Sequence, residues 1–250
     1  MSPKQRAGER VARVIESFQD ALEAAKPRPS DTSSQADKKN YAQRLSEALA
    51  VLVANRLRPT FPAITPLADG TRQESKARTG KGVKKLDVNY STPELGLGLG
   101  VSIKTLNFRD AGSGRYTKNA TRIDNELRAE ASDYHERQPF AVLAGVVFLP
   151  IDSCDDGNPK RETGKSSFAH IADHVLKHRA GRTVPKNRDE LFECIYVGLY
   201  DHAGSPPSVQ FFNVTQEPPA TGRPAADSLC HLDELLRQVV ALYDARNRIR

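Results

Sequence analysis

Apolar residues near the N-terminus recur at helical spacing. They form one face of an amphipathic helix predicted over residues 5–25. The members of this face are Val11, Val14, Ile15, Phe18, Ala21 and Leu22. Residues 26–40 are rich in proline, serine and charge, a composition typical of a solvated linker. A second, more apolar helix is predicted over residues 41–57. We therefore expect an N-terminal helical arm and flexible linker over residues 1–40, followed by one folded domain over residues 41–250.

The pattern changes to that of strands in the middle of the chain. A polar, basic loop is predicted over residues 66–82. Residues 83–91 and 98–108 are then predicted to form two strands of a hairpin, joined by a turn over residues 92–96. A nearly continuous apolar run at residues 140–151 is typical of a central strand that is covered on both faces.

Helical spacing returns between these strands and again after them. Ile123, Leu127 and Tyr134 share one face of a helix predicted over residues 121–136. The remaining predicted elements are a helix at 167–179, strands at 191–201 and 208–215, and a closing helix at 228–248. This order predicts the α/β class, with a central mixed β-sheet flanked by helices.

Composition allows one sizeable core and favours an anionic partner. The chain has 250 residues, of which 38% are apolar, enough for one large domain. Its 37 Lys and Arg residues outnumber its 31 Asp and Glu residues, and the formal charge of +6 suits a polyanion. Cys154, Cys194 and Cys230 show neither disulfide-framework nor zinc-ribbon spacing, which indicates a reducing, cytoplasmic setting. The sequence contains neither a signal-like segment nor an apolar run of about 18 residues, so we expect no membrane partner.

Lys104 stands at the end of an apolar strand, where a buried ammonium is costly unless it has a partner. Side chains alternate across a strand, so Ser102 and Lys104 point to one face of the sheet. Pairing of the hairpin would bring Asp87 of the neighbouring strand close to Lys104. The pair could be a simple cross-strand ion pair on a solvated face, or part of a buried site.

These residues resemble the motif of the PD-(D/E)XK nuclease superfamily, in which a hairpin carries an aspartate on one strand and an acid-x-lysine triplet on the next. The matching positions are Asp87 and the triplet Ser102, Ile103 and Lys104. The resemblance covers roughly residues 41–150. It implies a restriction-endonuclease-like core and a Mg²⁺-dependent endonuclease that acts on double-stranded DNA, such as a type II restriction enzyme or a related phage-defence nuclease. Such enzymes usually act as homodimers.

Two positions depart from the family pattern. Leu86 stands where a proline often precedes the aspartate, and Ser102 stands where an acid is usual. In some restriction enzymes of this superfamily the triplet is also serine-x-lysine, and the following helix supplies the missing carboxylate. Ser102 is then expected to bond a water or a ligand oxygen, while Asp87 and Lys104 keep their catalytic roles.

The helix predicted over residues 121–136 offers two candidates for the replacement carboxylate. Glu130 falls in the middle of its apolar face and Glu126 at the edge, taking about 100° per residue. Each could instead pair with Arg122 or Arg128, or remain solvated. The resemblance also suggests a supporting acid on the preceding helix, where Glu47 is available. The implied Mg²⁺ ligands are Asp87, Glu130, Glu126 and Glu47.

Basic residues flank the proposed site on both sides. Those taken as nucleic-acid contacts are Lys81, Lys84 and Lys85 before the second strand, and Arg109, Arg115 and Lys118 after it. Arg72, Lys76 and Arg78 add to the first group. Contacts of this kind to phosphates position a duplex without specifying its sequence. Ordinary solvated surface residues would show the same pattern.

Two further patterns and two other functions stay open. His170, His174 and His178 recur every four residues, a spacing similar to that of some zinc sites. Three such positions drift around a helix and no catalytic Glu follows, so a solvated or phosphate-facing stripe is favoured. Gly96 and Gly100 belong to an alternating glycine pattern that permits close packing or approach to DNA.

The main rival to a nuclease is a non-catalytic nucleic-acid-binding or assembly protein on the same scaffold. An enzyme acting on a small phosphate-containing substrate is the other.

Overall fold

The fold is described from a computed structural model that covers residues 14–73, 75–94, 96–157 and 164–247. The helices are α1 (Phe18–Ala25), α2 (Gln35–Leu57), α3 (Ala120–Arg137), α4 (Ser167–Ala169) and α5 (Leu232–Asn247). The strands are β1 (Ser75–Thr79), β2 (Gly82–Leu86), β3 (Val88–Thr92), β4 (Gly96–Thr105), β5 (Val142–Pro150), β6 (Cys194–Asp201), β7 (Ser208–Asn213) and β8 (Leu229–Cys230). Short 3₁₀ turns lie at Thr117–Asn119, Ile151–Cys154 and Ala226–Ser228.

A six-stranded mixed sheet, in the order β3-β4-β5-β6-β7-β8, forms the centre of the molecule. Strands β4, β5 and β6 are parallel, whereas β3 and β7 run antiparallel to their neighbours. β1 and β2 form a separate two-stranded antiparallel sheet. The predicted α/β class, a central mixed sheet flanked by helices, is confirmed.

Apolar cores cover both faces of this sheet. Val101 and Ile103 of β4 pack into the core that contains α1, α2 and α5. Leu143 and Val147 of β5 pack into the core on the α3 and α4 side. Every residue of β5 is buried, so the predicted central strand is confirmed. Alternation along β4 therefore sends Ser102 and Lys104 toward α3, as the sequence predicts.

The N-terminal predictions were wrong in their bounds. Within the described residues, the helix predicted over residues 5–25 is helical only in α1, because Ser17 caps it through a reciprocal hydrogen-bond pair with Asp20. The predicted linker ends early, since the Ser34 side chain accepts a hydrogen bond from the Asp37 amide and α2 begins at Gln35. Val11 of the predicted face lies outside the described residues. α1 packs on α2 and reaches β7.

Two other segments also differ from expectation. Part of the predicted loop 66–82 is strand β1, in which Ala77 and Thr79 are buried between exposed basic residues. The first hairpin strand is broken at Asp87: the residues before it pair with β1, and those after it pair with β4. The start of the predicted closing helix is strand β8, and α5 begins only at Leu232.

The other predicted elements are present. α3 and α5 form helices, and β6 and β7 form strands, at the predicted places. The helix predicted at 167–179 begins as α4 but continues with π-type hydrogen bonding over His170–Leu176 and ends in a 3₁₀ turn. Cys154, Cys194 and Cys230 are free thiols. Among the residues described, no helix has both the length and the apolar character needed to cross a membrane.

Candidate active site

Asp87 lies at the junction between the two sheets and is fixed there by β4. Val88, the first residue of β3, pairs with Val101, so Ile103 lies beyond the start of β3 and has no partner in that strand. The Asp87 carboxylate takes the place of the missing strand partner: its Oδ2 accepts a hydrogen bond from the Ile103 amide at 2.7 Å. The break in the strand thus turns the carboxylate toward the triplet that ends in Lys104.

Glu130 of α3 joins the two polar residues of β4. Its Oε1 lies 2.6 Å from Lys104 Nζ, and its Oε2 accepts a hydrogen bond from Ser102 Oγ at 2.6 Å. Ser102 is buried, and the Lys104 side chain is only 17% exposed. The expectation that Ser102 would bond only a water or a ligand oxygen was wrong, because its hydroxyl binds the carboxylate of Glu130. One carboxylate therefore bridges the serine and the lysine of the triplet.

Glu126 completes the acidic surroundings of Lys104. Its Oε2 lies 3.6 Å from Lys104 Nζ, and its Oε1 lies 3.5 Å from Arg122 Nε, one turn earlier on α3. Glu130 and Glu126 were alternative candidates for the replacement carboxylate, and both lie near Lys104. Glu130 is the inner member, with a side chain that is 20% exposed against 40% for Glu126.

Lys104 is held as a cation. Burial alone would lower the pKa of Lys104, but the charge and hydrogen bond of Glu130 and the charges of Asp87 and Glu126 together raise it above 10.5. Three acidic side chains therefore act on one ammonium. A lysine in this state donates hydrogen bonds and stabilises negative charge, but it cannot accept a proton near neutral pH.

The carboxylates at this site match the chemistry of Mg²⁺ in ligand type. Mg²⁺ prefers oxygen ligands and is usually held by one or two carboxylates, with waters and substrate phosphates completing its shell. Asp87 and Glu130 supply two such carboxylates, one bonded to the Ile103 amide and the other to the Lys104 ammonium. The described residues contain no ready-made group of three or more His, Cys, Asp or Glu side chains around a metal position. The match to Mg²⁺ is thus one of ligand type, carried by Asp87 and Glu130.

Glu47, the fourth predicted ligand, makes its contacts elsewhere. Its carboxylate accepts a hydrogen bond from Gln43, one turn earlier on α2, at 3.0 Å. Its backbone carbonyl accepts one from Gln73. α2 packs on the sheet face opposite to α3, the face that carries Val101 and Ile103. The contacts of Glu47 therefore give it no part in the cluster around Lys104.

The basic residues before β4 pack against α3. Lys81 and Lys84 both form ion pairs with Asp133, a carboxylate whose side chain is only 3% exposed. The Tyr134 hydroxyl donates a hydrogen bond to the carbonyl of Lys85 at 3.1 Å. Arg72, Lys76, Arg78 and Lys85 are exposed. Lys81 and Lys84 thus anchor the β1–β2 hairpin to α3, in addition to any contact with a ligand.

The basic residues after β4 also have protein partners. Arg109 Nη2 lies 2.7 Å from Asp152 Oδ2, and its guanidinium lies over the Tyr116 ring. Lys118 pairs with Asp110 at 2.6 Å. Arg115 donates a hydrogen bond to the Lys165 carbonyl at 2.7 Å. These contacts order the loop that follows the candidate site.

The three histidines of the predicted stripe have different neighbours. The rings of His170 and His174 lie 5.4 Å apart, and His174 Nε2 lies 3.1 Å from Lys165 Nζ. His178 Nε2 lies 3.4 Å from Asp124 Oδ1. Burial, aided by the charge of His174, lowers the pKa of His170. The π-type geometry of this segment breaks the regular i, i+4 stripe that the sequence predicts.

A buried ionic network around Glu193 was missed by sequence analysis. The Glu193 carboxylate is inaccessible to solvent and lies 2.9 Å from Arg182 Nη1 and 2.7 Å from Arg246 Nη1. It also accepts a hydrogen bond from the Leu143 amide at 2.7 Å. The network ties the start of β5 to α5, away from Lys104. An acid next to an apolar strand was the available signal, the same kind of signal that singled out Lys104.

Comparison of the chain with protein-family models, with curated proteins and with solved structures found no match. The resemblance to the nuclease superfamily therefore stays a hypothesis, and the geometry of the candidate site is its physical basis.

Proposed function

We propose that the protein is a Mg²⁺-dependent endonuclease that hydrolyses phosphodiester bonds in double-stranded DNA. One observation carries this proposal: Glu130 of α3 contacts both Ser102 and Lys104 of β4, on the strand that also binds Asp87. A carboxylate from the following helix thus stands beside the serine that occupies the usual acid position.

Hydrolysis of a phosphodiester bond requires that the negative charge developing on the phosphate be offset. Asp87 and Glu130 would hold Mg²⁺, which when bound supplies a Lewis acid for the phosphate oxygen and lowers the pKa of water. Lys104 donates hydrogen bonds from its ammonium to the attacking water or to a phosphate oxygen. This contact strengthens as negative charge develops in the transition state. Because the pKa of Lys104 is raised, its positive charge is present at neutral pH.

Ser102 acts through Glu130. Its buried hydroxyl holds one carboxylate oxygen, so the other oxygen is directed toward Lys104. The role fits a serine at this position, because a second carboxylate there would face Glu130 across a half-buried space and repel it. Ser102 is thus a positioning residue in this proposal.

The proposal is tested by incubating supercoiled plasmid with the full chain and Mg²⁺. We expect nicked and linear products that disappear with EDTA and decrease about a hundredfold or more in Lys104→Ala. Glu136→Gln, an exposed change on α3, serves as the matched control and should cleave like the wild type. Equal cleavage by wild type and Lys104→Ala would contradict the proposal.

A second candidate is a nucleic-acid-binding protein without catalysis. It is favoured by the direct ion pair between Lys104 and Glu130, which gives both charges a partner within the protein. Binding of duplex DNA without cleavage in Mg²⁺ or Mn²⁺ would favour this alternative.

A further inference from the structure

We propose that a basic cleft beside the candidate site binds the phosphate backbone of the DNA strand that is cut; this rests on the proposed function. The cleft lies between the first turn of α2, the end of β4, the loop after it and the first turn of α3. Its charged lining consists of Lys38, Lys39, Arg109, Asp110, Lys118 and Arg122. Arg109 and Lys118 are among the nucleic-acid contacts that the sequence predicts, whereas Lys38 and Lys39 of α2 are not.

The cleft carries excess positive charge. Five basic side chains and one acidic side chain line it, a difference of +4. Asp110 offsets Lys118 at 2.6 Å, while Asp152 and Glu126, both outside the lining, offset Arg109 and Arg122. The contacts of α2 leave its charges available, because Lys38 bonds the uncharged carbonyl of Asp31 and Lys39 is exposed. Such a surface attracts a polyanion and releases the counterions that the polyanion carries.

The α2 lysines are placed in the cleft by local structure. The Ser34 cap starts α2 at Gln35, so residues 38 and 39 fall in its first turns. Lys38 Nζ lies over the Phe108 ring at 5.7 Å from the ring centroid, a cation–π contact that holds the ammonium at the wall formed by the loop after β4. Lys38 and Phe108, the two partners in this contact, both line the cleft.

The cleft adjoins the cluster around Lys104 at the end of β4, where Arg122 of α3 belongs to its lining. Thr105, the residue after Lys104, is part of the lining. On the α3 side, Arg122 contacts Glu126 at 3.5 Å, and Glu126 lies 3.6 Å from Lys104 Nζ. A DNA strand whose phosphates are bound in the cleft would therefore pass close to Lys104, the residue that offsets charge on the scissile phosphate in the proposed function. Duplex DNA suits this surface because its phosphates recur at regular spacing on a rigid backbone.

Duplex binding without cleavage tests the inference. A fluorescently labelled DNA duplex of mixed sequence is titrated by anisotropy in EDTA, at several KCl concentrations, with the full chain and with Lys38→Gln/Lys39→Gln. Each lost phosphate contact lowers the slope of log K against log salt by about one, so we expect weaker binding and a slope smaller by about two. The matched control is Lys186→Gln/Arg188→Gln, which removes the same charge from the loop before β6 and should bind like the wild type.

The outcomes separate this inference from the proposed function. Binding and salt slope unchanged in Lys38→Gln/Lys39→Gln would overturn the cleft, whatever the plasmid assay shows. An equal loss in the control variant would also overturn it, because net charge alone would then explain the effect. A selective loss that affects duplex RNA but not duplex DNA would overturn the assignment to DNA. A selective loss for DNA in a protein that does not cleave would support the cleft and contradict the nuclease proposal alone.

Discussion

At the scale of single residues, the candidate site depends on how Glu130 is held. A carboxylate in the middle of an apolar helix face needs polar partners, and here Ser102 and Lys104 each bind one of its oxygens. Sequence spacing could place Glu130 on that face and Lys104 on the facing side of the strand. It could not predict that Ser102 would bond Glu130, because this contact depends on how closely α3 packs on β4.

Ser102→Ala should destabilise the protein and misplace Glu130. The substitution removes a buried hydrogen bond to a charged group, so we expect the free energy of unfolding to fall by about 1–2 kcal/mol. Urea denaturation measures this loss. Ser208→Ala, at an exposed position of β7, is the control and should leave the midpoint unchanged. A midpoint for Ser102→Ala equal to that of the control would contradict the proposed support of Glu130.

The raised pKa of Lys104 predicts a pH dependence with a definite sign. The folded protein favours the charged lysine, so its contribution to stability is complete below the ordinary pKa of 10.5. The contribution is lost as pH rises through the higher pKa of the folded state. The difference in unfolding free energy between wild type and Lys104→Met should therefore be constant at neutral pH and shrink above about pH 10. A difference that shrinks between pH 6 and 8 would show the opposite shift.

At the scale of elements, periodicity predicted the interior of the fold better than its borders. β5, α3 and the β3–β4 hairpin have clear apolar patterns, and each is present. β1 was missed because its exposed positions are basic and only Ala77 and Thr79 turn inward. β8 was missed because a strand of two residues is too short to show a periodic pattern of apolar positions. The break of the hairpin strand at Asp87 depends on β1, which was not predicted.

Asp133 should anchor the β1–β2 hairpin to α3. Burial opposes ionisation of Asp133, but hydrogen bonds and charges of Lys84 and Lys81 lower its pKa below 3.8. Its stabilising effect is thus present above pH 3.8 and is lost as pH falls through the lower folded-state value. Asp133→Asn should speed amide exchange in β1 and β2 at pH 7 while leaving exchange in β5 unchanged. Exchange in β1 and β2 that matches the wild type would contradict this anchor.

At the scale of the whole molecule, the parallel strands bring the ends of β4 and β5 to one edge of the sheet. The cluster around Lys104, the loop with Arg109 and the basic cleft all lie toward this edge. The network around Glu193 lies toward the start of β5 and β6, where it contributes to packing. Strand pairing is non-local and is hard to predict from sequence. The loop with Arg109 was expected beside Lys104, but the position of Lys38 and Lys39 of α2 near this edge is visible only in the fold.

The proposed cleavage of both strands predicts a homodimer on DNA. Two copies related by a two-fold axis would present two equivalent sites to the two strands. Sedimentation of the chain with duplex DNA and Ca²⁺ should show two copies of the 27.5 kDa chain per duplex. A complex with one copy per duplex, in a sample that cleaves both strands with Mg²⁺, would contradict the dimer.

The most direct test of the central claim is to move the acid between its two positions. The Mg²⁺-dependent nicking rate of plasmid is compared for wild type, Glu130→Ser and the double variant Ser102→Glu/Glu130→Ser. If Glu130 replaces the acid of the triplet, Glu130→Ser should lose about a hundredfold or more in rate. The double variant should regain part of this loss. Wild-type nicking by Glu130→Ser would contradict the account.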